Sequence, residues 1–172
     1  MTLRTPALPA PHGSGPYRIS MVCLGNICRS PMAHVVLRER VAAADLGAAI
    51  EVDSGGTADW HTGKDMDPRS RETLVAAGYE PALHAARQYL PDWQRQRDLV
   101  LVMDQSNLAD VGGRTERLML FRDFDPLDPG GEVPDPYYGG QQGFEEVLRM
   151  IERTCDTLLA AWRTGPGLAG LP

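Results

Sequence analysis

The sequence lacks two features that would tie the protein to a membrane. No run approaches the roughly 20 apolar residues that a membrane-spanning helix requires. The N-terminus also lacks a charged stretch followed by an apolar one, which is the pattern of a secretory signal. We therefore predict a cytoplasmic protein that binds no membrane.

Basic residues are few as well. Lys and Arg total 17 against 23 Asp and Glu, which gives a formal charge of -6. The basic residues are spread along the chain and form no basic run, so we predict no nucleic-acid partner.

Cysteines and histidines are too few and too scattered to form a metal or disulfide framework. The three cysteines and four histidines show no zinc-finger or other metal-ligand spacing. An odd number of cysteines does not suit a set of structural disulfides. We predict no metal and no cofactor, and at least one thiol that is available for chemistry.

What the chain does contain is enough material for one folded domain. It has 172 residues, of which 42% are apolar, and a domain of that size buries roughly two thirds of its unfolded surface. Residues 1–16 hold four prolines among Gly, Ser and Ala, so we predict a flexible tail there. The domain is expected to span 17–164, with a short C-terminal tail at 165–172, and to be a monomer or weak dimer.

Predicted strands and helices alternate along this domain. The first strand leads from Tyr17 into Cys23, and a helix follows in which Ser30 is the expected N-cap before Pro31. The further predicted strands are 50–52 leading into 53–56, 98–103 and 117–121, and the further helices are 68–77, one from about 106, and 144–162. This order predicts a three-layer α/β fold, a four-stranded parallel sheet with helices on both faces. Ligands of such sheets bind beyond the carboxyl ends of the strands, which directs attention to the loop after the first strand.

That loop has the features of an oxyanion site. Cys23 ends the strand, Arg29 follows after five intervening residues, and the helix begins at once. Backbone N–H groups of such a loop can turn inward around an anion, and the helix N-terminus adds partial positive charge. Arg29 adds a planar fork for two phosphate oxygens. We call residues 23–30 the phosphate loop; its remaining predicted members are Leu24, Gly25, Asn26, Ile27, Cys28 and Ser30.

The same surroundings favour the thiolate of Cys23, which makes it the expected nucleophile. Transfer of a phosphoryl group to sulfur also needs an acid for the leaving oxygen. Asp135 is the best candidate, because Pro134 and Pro136 restrict the backbone on both sides of it. An aspartate that must carry a proton in the substrate complex predicts an acidic pH optimum.

Several segments together resemble one enzyme family, the low molecular weight protein tyrosine phosphatases. They are residues 22–33, Asp53-Ser54-Gly55-Gly56-Thr57, Met103-Asp104-Gln105-Ser106-Asn107-Leu108 and Asp135-Pro136-Tyr137-Tyr138. The resemblance covers about residues 17–163 in the family's order. Cysteine, five residues and arginine are shared with unrelated phosphatases, whereas the late Asp-Pro-Tyr-Tyr is close to diagnostic.

The resemblance implies a four-stranded parallel sheet and a two-step hydrolysis of phosphotyrosine proteins through a phosphocysteine. It gives Cys23 the role of nucleophile, Arg29 that of phosphate clamp and Asp135 that of acid and then base. The implied loop-bracing residues are Asn26, Ser30, Ser54 and His84, and the implied walls of the substrate slot are Trp60, Tyr137 and Tyr138. Cys155 lies on the apolar stripe of the last helix and is expected in the core.

Some alternatives stay open. Cys28 either packs as a small residue or captures oxidised Cys23 as a disulfide, which the resemblance favours. Trp60 could instead belong to the core. Thiol-dependent arsenate reductases resemble the loop but use two further cysteines in mid-chain, and none lies between Cys28 and Cys155. Protein-arginine phosphatases resemble the loop but carry threonine where Ile27 stands. A protein that binds phosphotyrosine without hydrolysing it would lack the thiol or the acid, and this chain has both Cys23 and Asp135.

Overall fold

A parallel four-stranded sheet forms the centre of the computed structural model, which describes residues 4–170. The strands are β1 (Tyr17–Cys23), β2 (Ile50–Gly56), β3 (Leu99–Val102) and β4 (Leu118–Leu120), in the order β2-β1-β3-β4. β1 is central, and its Met21 pairs with Leu101 of β3 and Ser54 of β2. The predicted parallel sheet is confirmed.

Apolar side chains cover both faces of the sheet, because successive residues of a strand point to opposite sides. Met21 and Leu101 face one apolar cluster, and their neighbours Val22 and Val102 face the other. The helices are α1 (Arg29–Ala43), α2 (Pro68–Ala76), α3 (Trp93–Gln96), α4 (Gln105–Asp110) and α5 (Gln141–Thr164), with 3-10 turns at Phe121–Phe124 and Pro166–Gly170. α1, α2 and α5 contribute to the first cluster and α3 and α4 to the second, which confirms the three layers.

Most helix boundaries follow the expected signals. Asp67 caps α2 by accepting a hydrogen bond from the Arg69 amide, and Pro68 occupies the first helical position. Gly78, at φ 94°, follows its end. The buried stripe of α5 contains the predicted residues, but the helix extends beyond 144–162 at both ends. The residues at its ends are mostly exposed, so no apolar pattern marks them.

The expected N-cap of α1 is wrong. The helix begins at Arg29, one residue before Ser30, and Cys28 in the capping position makes no side-chain cap bond. The Ser30 hydroxyl turns instead toward the Cys23 sulfur and the Asn26 amide. A polar side chain that binds within the phosphate loop cannot also cap the helix.

The segment before the domain, over residues 4–16, contains neither helix nor strand. Parts of it contact the domain: the Tyr17 hydroxyl donates a hydrogen bond to the buried Pro9 carbonyl at 2.8 Å, and the His12 amide donates to Asp98 at 2.6 Å. The division into 1–16, 17–164 and 165–172 stays a prediction, and residues 1–3 and 171–172 lie outside the described part. Within residues 4–170, no helix has the length and apolarity needed to span a membrane.

Candidate active site

The phosphate loop lies at the carboxyl end of β1, where its backbone is fastened to neighbouring segments. The Cys23 carbonyl accepts from the Thr57 amide at 2.9 Å, and the Ile27 carbonyl accepts from the Asp67 amide at 2.8 Å. Asn26 has φ 55°, a left-handed conformation that asparagine tolerates better than most residues. Its backbone lets the loop turn inward, as an anion nest requires.

A network of hydrogen bonds connects the Cys23 sulfur to the interior. The sulfur lies 3.0 Å from the Ser30 hydroxyl. The Asn26 side-chain amide donates to both Ser30, at 2.8 Å, and Ser54, at 3.0 Å. His84 Nε2 lies 2.7 Å from the Asn26 carbonyl, which can only accept, so this nitrogen carries the hydrogen. Because Ser30 accepts from Asn26, its own hydrogen can be donated either to the sulfur, at 3.0 Å, or to the Gly55 carbonyl, at 3.3 Å.

Arg29 is almost entirely buried, at 2% exposure. Its Nη1 donates to Asp104 at 2.6 Å and to the Val133 carbonyl at 2.9 Å. Burial would lower the pKa of Arg29, but the neighbouring Cys23 and Asp104 raise it above its ordinary value. Nη2 lies 3.7 Å from the Asp135 carboxylate, so the predicted clamp and the predicted acid lie next to each other.

These groups converge on one open pocket of about 140 Å³. Its lining residues are Cys23, Leu24, Gly25, Ile27, Cys28, Arg29, Trp60, His61, Asp135, Tyr137 and Tyr138. Asn26, Ser30, Ser54 and His84 make the hydrogen bonds around the loop described above and do not line the pocket. Trp60 is 67% exposed, so it is a wall of the pocket and not a core residue.

The other two cysteines differ from Cys23 in their surroundings. Burial, and then the charges of Asp67 and Cys23, raise the pKa of Cys28 to about 12, so Cys28 is a neutral thiol at physiological pH. Cys155 is fully buried in α5, where burial raises its pKa further, as expected of a core residue. All three cysteines are free.

Comparison with known proteins decides the family. The family model for low molecular weight phosphotyrosine protein phosphatases matches residues 18–165. The chain belongs to this family. A low molecular weight protein-tyrosine-phosphatase of Streptomyces coelicolor is 48% identical over 86% of this chain and 94% of its own. A putative one of Synechocystis is 39% identical over 84% of this chain and 95% of its own.

Solved structures agree with this assignment. The structure of a protein tyrosine phosphatase from Entamoeba histolytica, with Hepes in its active site, has a TM-score of 0.81 and 30% identity, covering 86% of this chain and 97% of that one. The resemblance inferred from the sequence motifs is therefore confirmed. This low molecular weight phosphatase is a hydrolase, a protein-tyrosine phosphatase whose substrates are phosphoproteins.

Two residues of the phosphatase site were missed by sequence reasoning. Asp104 fixes Arg29 and also caps α4, accepting from the Asn107 amide at 2.7 Å; its place at a helix start, within a segment that resembles the family, was the available signal. His61 lies over the loop, where a Cβ on Gly25 would come within 3.0 Å of its ring. No sequence pattern pointed to it. Within residues 4–170, no group of three or more His, Cys, Asp or Glu side chains could hold a metal ion.

Proposed function

We propose that the enzyme hydrolyses phosphotyrosine and small aryl phosphates through a phosphocysteine on Cys23, with Asp135 as acid and base. The observation that carries this proposal is the meeting of the Cys23 sulfur, Arg29 and Asp135 in one pocket. Each group supplies a different requirement of phosphoryl transfer: a nucleophile, a charge clamp and a proton donor.

The phosphate loop is suited to a tetrahedral dianion. The N-terminus of α1 meets the loop, and its free N–H groups add partial positive charge there. Asp104 and Val133 hold Arg29 through Nη1, so Nε and Nη2 supply the two-point fork. The net charge of the chain matters little at this point, because these donors act at short range.

In the first step, the Cys23 sulfur attacks phosphorus, an S–P bond forms, and the bond from phosphorus to the phenolic oxygen breaks. Asp135 gives its proton to that oxygen. In the second step, the Asp135 carboxylate takes a proton from water as the water oxygen bonds to phosphorus, and the S–P bond breaks. The electron pair returns to sulfur, and the Ser30 hydroxyl at 3.0 Å can stabilise the resulting thiolate.

The walls of the pocket favour a flat aromatic ring. Trp60, Tyr137 and Tyr138 rise around its opening, and the two tyrosine rings meet edge to face with centroids 4.9 Å apart. Ile27 adds an apolar side chain to the lining. An aryl phosphate can pack its ring between these walls while its phosphate occupies the loop.

Cys28 has a proposed second role. A peroxide would convert the Cys23 thiolate to a sulfenic acid; the Cys28 sulfur would then bond to the Cys23 sulfur, and the Cys28 proton would leave with the departing hydroxyl as water. Such a disulfide protects Cys23 from irreversible oxidation.

Three free thiols also suit the reducing cytoplasm, which we propose as the location.

The test is hydrolysis of aryl phosphates from pH 5 to 8 by the wild type, Cys23→Ser and Asp135→Ala, with a rapid-quench trap for labelled phosphocysteine. We expect no turnover and no trapped label with Cys23→Ser. Asp135→Ala should lose more kcat/KM with phenyl phosphate, a poor leaving group, than with 4-nitrophenyl phosphate. Full activity of Cys23→Ser would refute the mechanism.

Two other outcomes would point elsewhere. Consumption of thiol that depends on arsenate would support a reductase, although the chain has no cysteine between Cys28 and Cys155. Faster release of phosphate from phosphoarginine peptides than from phosphotyrosine peptides would contradict the substrate class.

A further inference from the structure

Arg69, near the start of α2, bridges two separate parts of the active site. Its Nη2 donates to the Tyr137 carbonyl at 3.0 Å, and its Nη1 donates to the Gly139 carbonyl at 3.3 Å. The guanidinium also lies over two rings, 5.5 Å from the centre of Tyr137 and 4.6 Å from that of Phe144. One side chain therefore holds the segment that follows Asp135.

The other side of the guanidinium is held by Asp67. Nε lies 3.0 Å and Nη2 2.9 Å from the two oxygens of this carboxylate, which makes a two-point ion pair. The pair lowers the pKa of Asp67, whose side chain is only 9% exposed, and so favours its charged form. The orientation of Arg69 is fixed on this side.

Asp67 is in turn fastened to the phosphate loop. Its backbone amide donates to the Ile27 carbonyl at 2.8 Å. On the other side of Arg69, the amide of Tyr137, whose carbonyl Arg69 binds, donates to Asp135 Oδ1 at 3.1 Å. A continuous path of short contacts thus runs from the nucleophile's loop through Asp67, Arg69 and Tyr137 to the carboxylate.

We propose that Arg69 is a positioning residue that sets the Asp135 carboxylate relative to the phosphate loop. The inference rests on the proposed role of Asp135 as general acid. Asp135 has a side chain 37% exposed and lies on a loop, so the contacts that tie this loop to the domain help to set where its carboxylate lies. Displacement of a catalytic group by about 1 Å can cost roughly 100-fold in rate, so a restraint of this kind matters to proton transfer.

Arginine is needed for this geometry, since its planar fork reaches Asp67 and two carbonyls at once. A lysine at the position could pair with Asp67 but could not keep both loop contacts. Arg69→Lys should therefore behave more like Arg69→Ala than like the wild type.

The experiment is a double-mutant cycle on kcat/KM with Arg69→Ala, Asp135→Ala and the double variant, using phenyl phosphate and 4-nitrophenyl phosphate. We expect Arg69→Ala to lose roughly 10- to 100-fold with phenyl phosphate and clearly less with the better leaving group. The double variant should be no slower than Asp135→Ala, because Arg69 acts through that carboxylate. Competitive inhibition by inorganic phosphate should change less than twofold in Arg69→Ala.

Arg71→Ala is the matched control. Arg71 is two residues away on α2, but it pairs with Asp65 at 2.7 Å and donates to the Pro81 carbonyl at 3.0 Å, away from the Asp135 segment. Its variant should keep the wild-type ratio between the two substrates. Thermal unfolding of all variants, followed by circular dichroism, separates loss of fold from loss of positioning.

The outcomes separate the two proposals. Equal losses with both substrates, or additive losses in the cycle, would overturn the role of Arg69 while leaving that of Asp135 intact. If Asp135→Ala itself showed no dependence on the leaving group, the acid assignment would fail, and the inference about Arg69 with it.

Discussion

Removal of the Asp104 charge should destabilise the protein through Arg29. Arg29 is buried at 2% exposure, and Asp104 is its nearest counter-charge, at 2.6 Å. Loss of one partner of a buried ion pair costs about 3–5 kcal/mol, because the remaining charge stays uncompensated. Since the Asp104 side chain is itself 20% exposed, and Asp135 remains 3.7 Å from Arg29, the low end of that range, about 3 kcal/mol, applies to Asp104→Asn.

Two variants separate the charge from the helix cap. Asparagine is as good an N-cap as aspartate, so Asp104→Asn removes only the charge, whereas Asp104→Ala also loses the bond to the Asn107 amide, worth about 1 kcal/mol. The expected order of stability in urea denaturation is wild type, then Asp104→Asn, then Asp104→Ala. In thermal unfolding, the midpoint temperature of Asp104→Asn should be lower than that of the wild type by about 6–12 °C, at about 2–4 °C per kcal/mol.

Phosphate provides a further check on this reasoning. A bound dianion replaces the lost counter-charge of Arg29, so saturating phosphate should raise the midpoint of Asp104→Asn more than that of the wild type. If Asp104→Asn were as stable as the wild type without phosphate, the ion pair would not stabilise the folded state, and the argument would be refuted.

Two further predictions concern the interior around the loop. Burial lowers the pKa of His34 from 6.5 to about 4, so the His34 side chain binds a proton more tightly in the unfolded chain than in the folded one. The free energy of unfolding is therefore unaffected by this group above pH 6.5, and it falls by about 3 kcal/mol as the pH falls to 4. Chemical denaturation across that window should show a shallower pH dependence in His34→Gln, and an identical one would contradict the prediction. A Cβ on Gly56 would lie 2.8 Å from the Leu24 carbonyl, so Gly56→Ala should cost about 1–3 kcal/mol and weaken inhibition by phosphate. Gly47→Ala, where nothing lies within 4 Å, is the control and should leave inhibition unchanged.

Local sequence patterns predicted the sheet and most helices because those elements carry their own signals. β1 and β3 are short apolar runs, and α2 has both a capping aspartate and a terminal glycine. α3 was missed because it has only four residues, fewer than a periodic pattern needs to show itself. Ser30 was misread because serine before proline at a helix start has a standard meaning, which a tertiary contact with Cys23 overrides.

The residues of the candidate site also differ in how far local sequence patterns predicted them. Cys23 and Arg29 lie on one loop, so their spacing alone predicted that they act together. Asp135 was chosen from its flanking prolines and then supported by the family resemblance, since the spacing alone does not bring a residue more than 100 positions away to the same pocket. Asp104 and Arg69 were missed as site residues because their significance depends on contacts with partners 75 and 68 positions away along the chain.

These long-range contacts explain how the phosphate loop can keep its shape before substrate arrives. The loop is fastened at Cys23 by Thr57, at Leu24 by Ala58 and at Ile27 by Asp67, each through a backbone hydrogen bond of 2.8–2.9 Å. The partners at 57, 58 and 67 lie in the segment between β2 and α2, so the chain that leaves the strand next to β1 also holds the loop that leaves β1. A loop ordered in advance loses little conformational entropy on binding, and more of the interaction with phosphate is then available for the transition state.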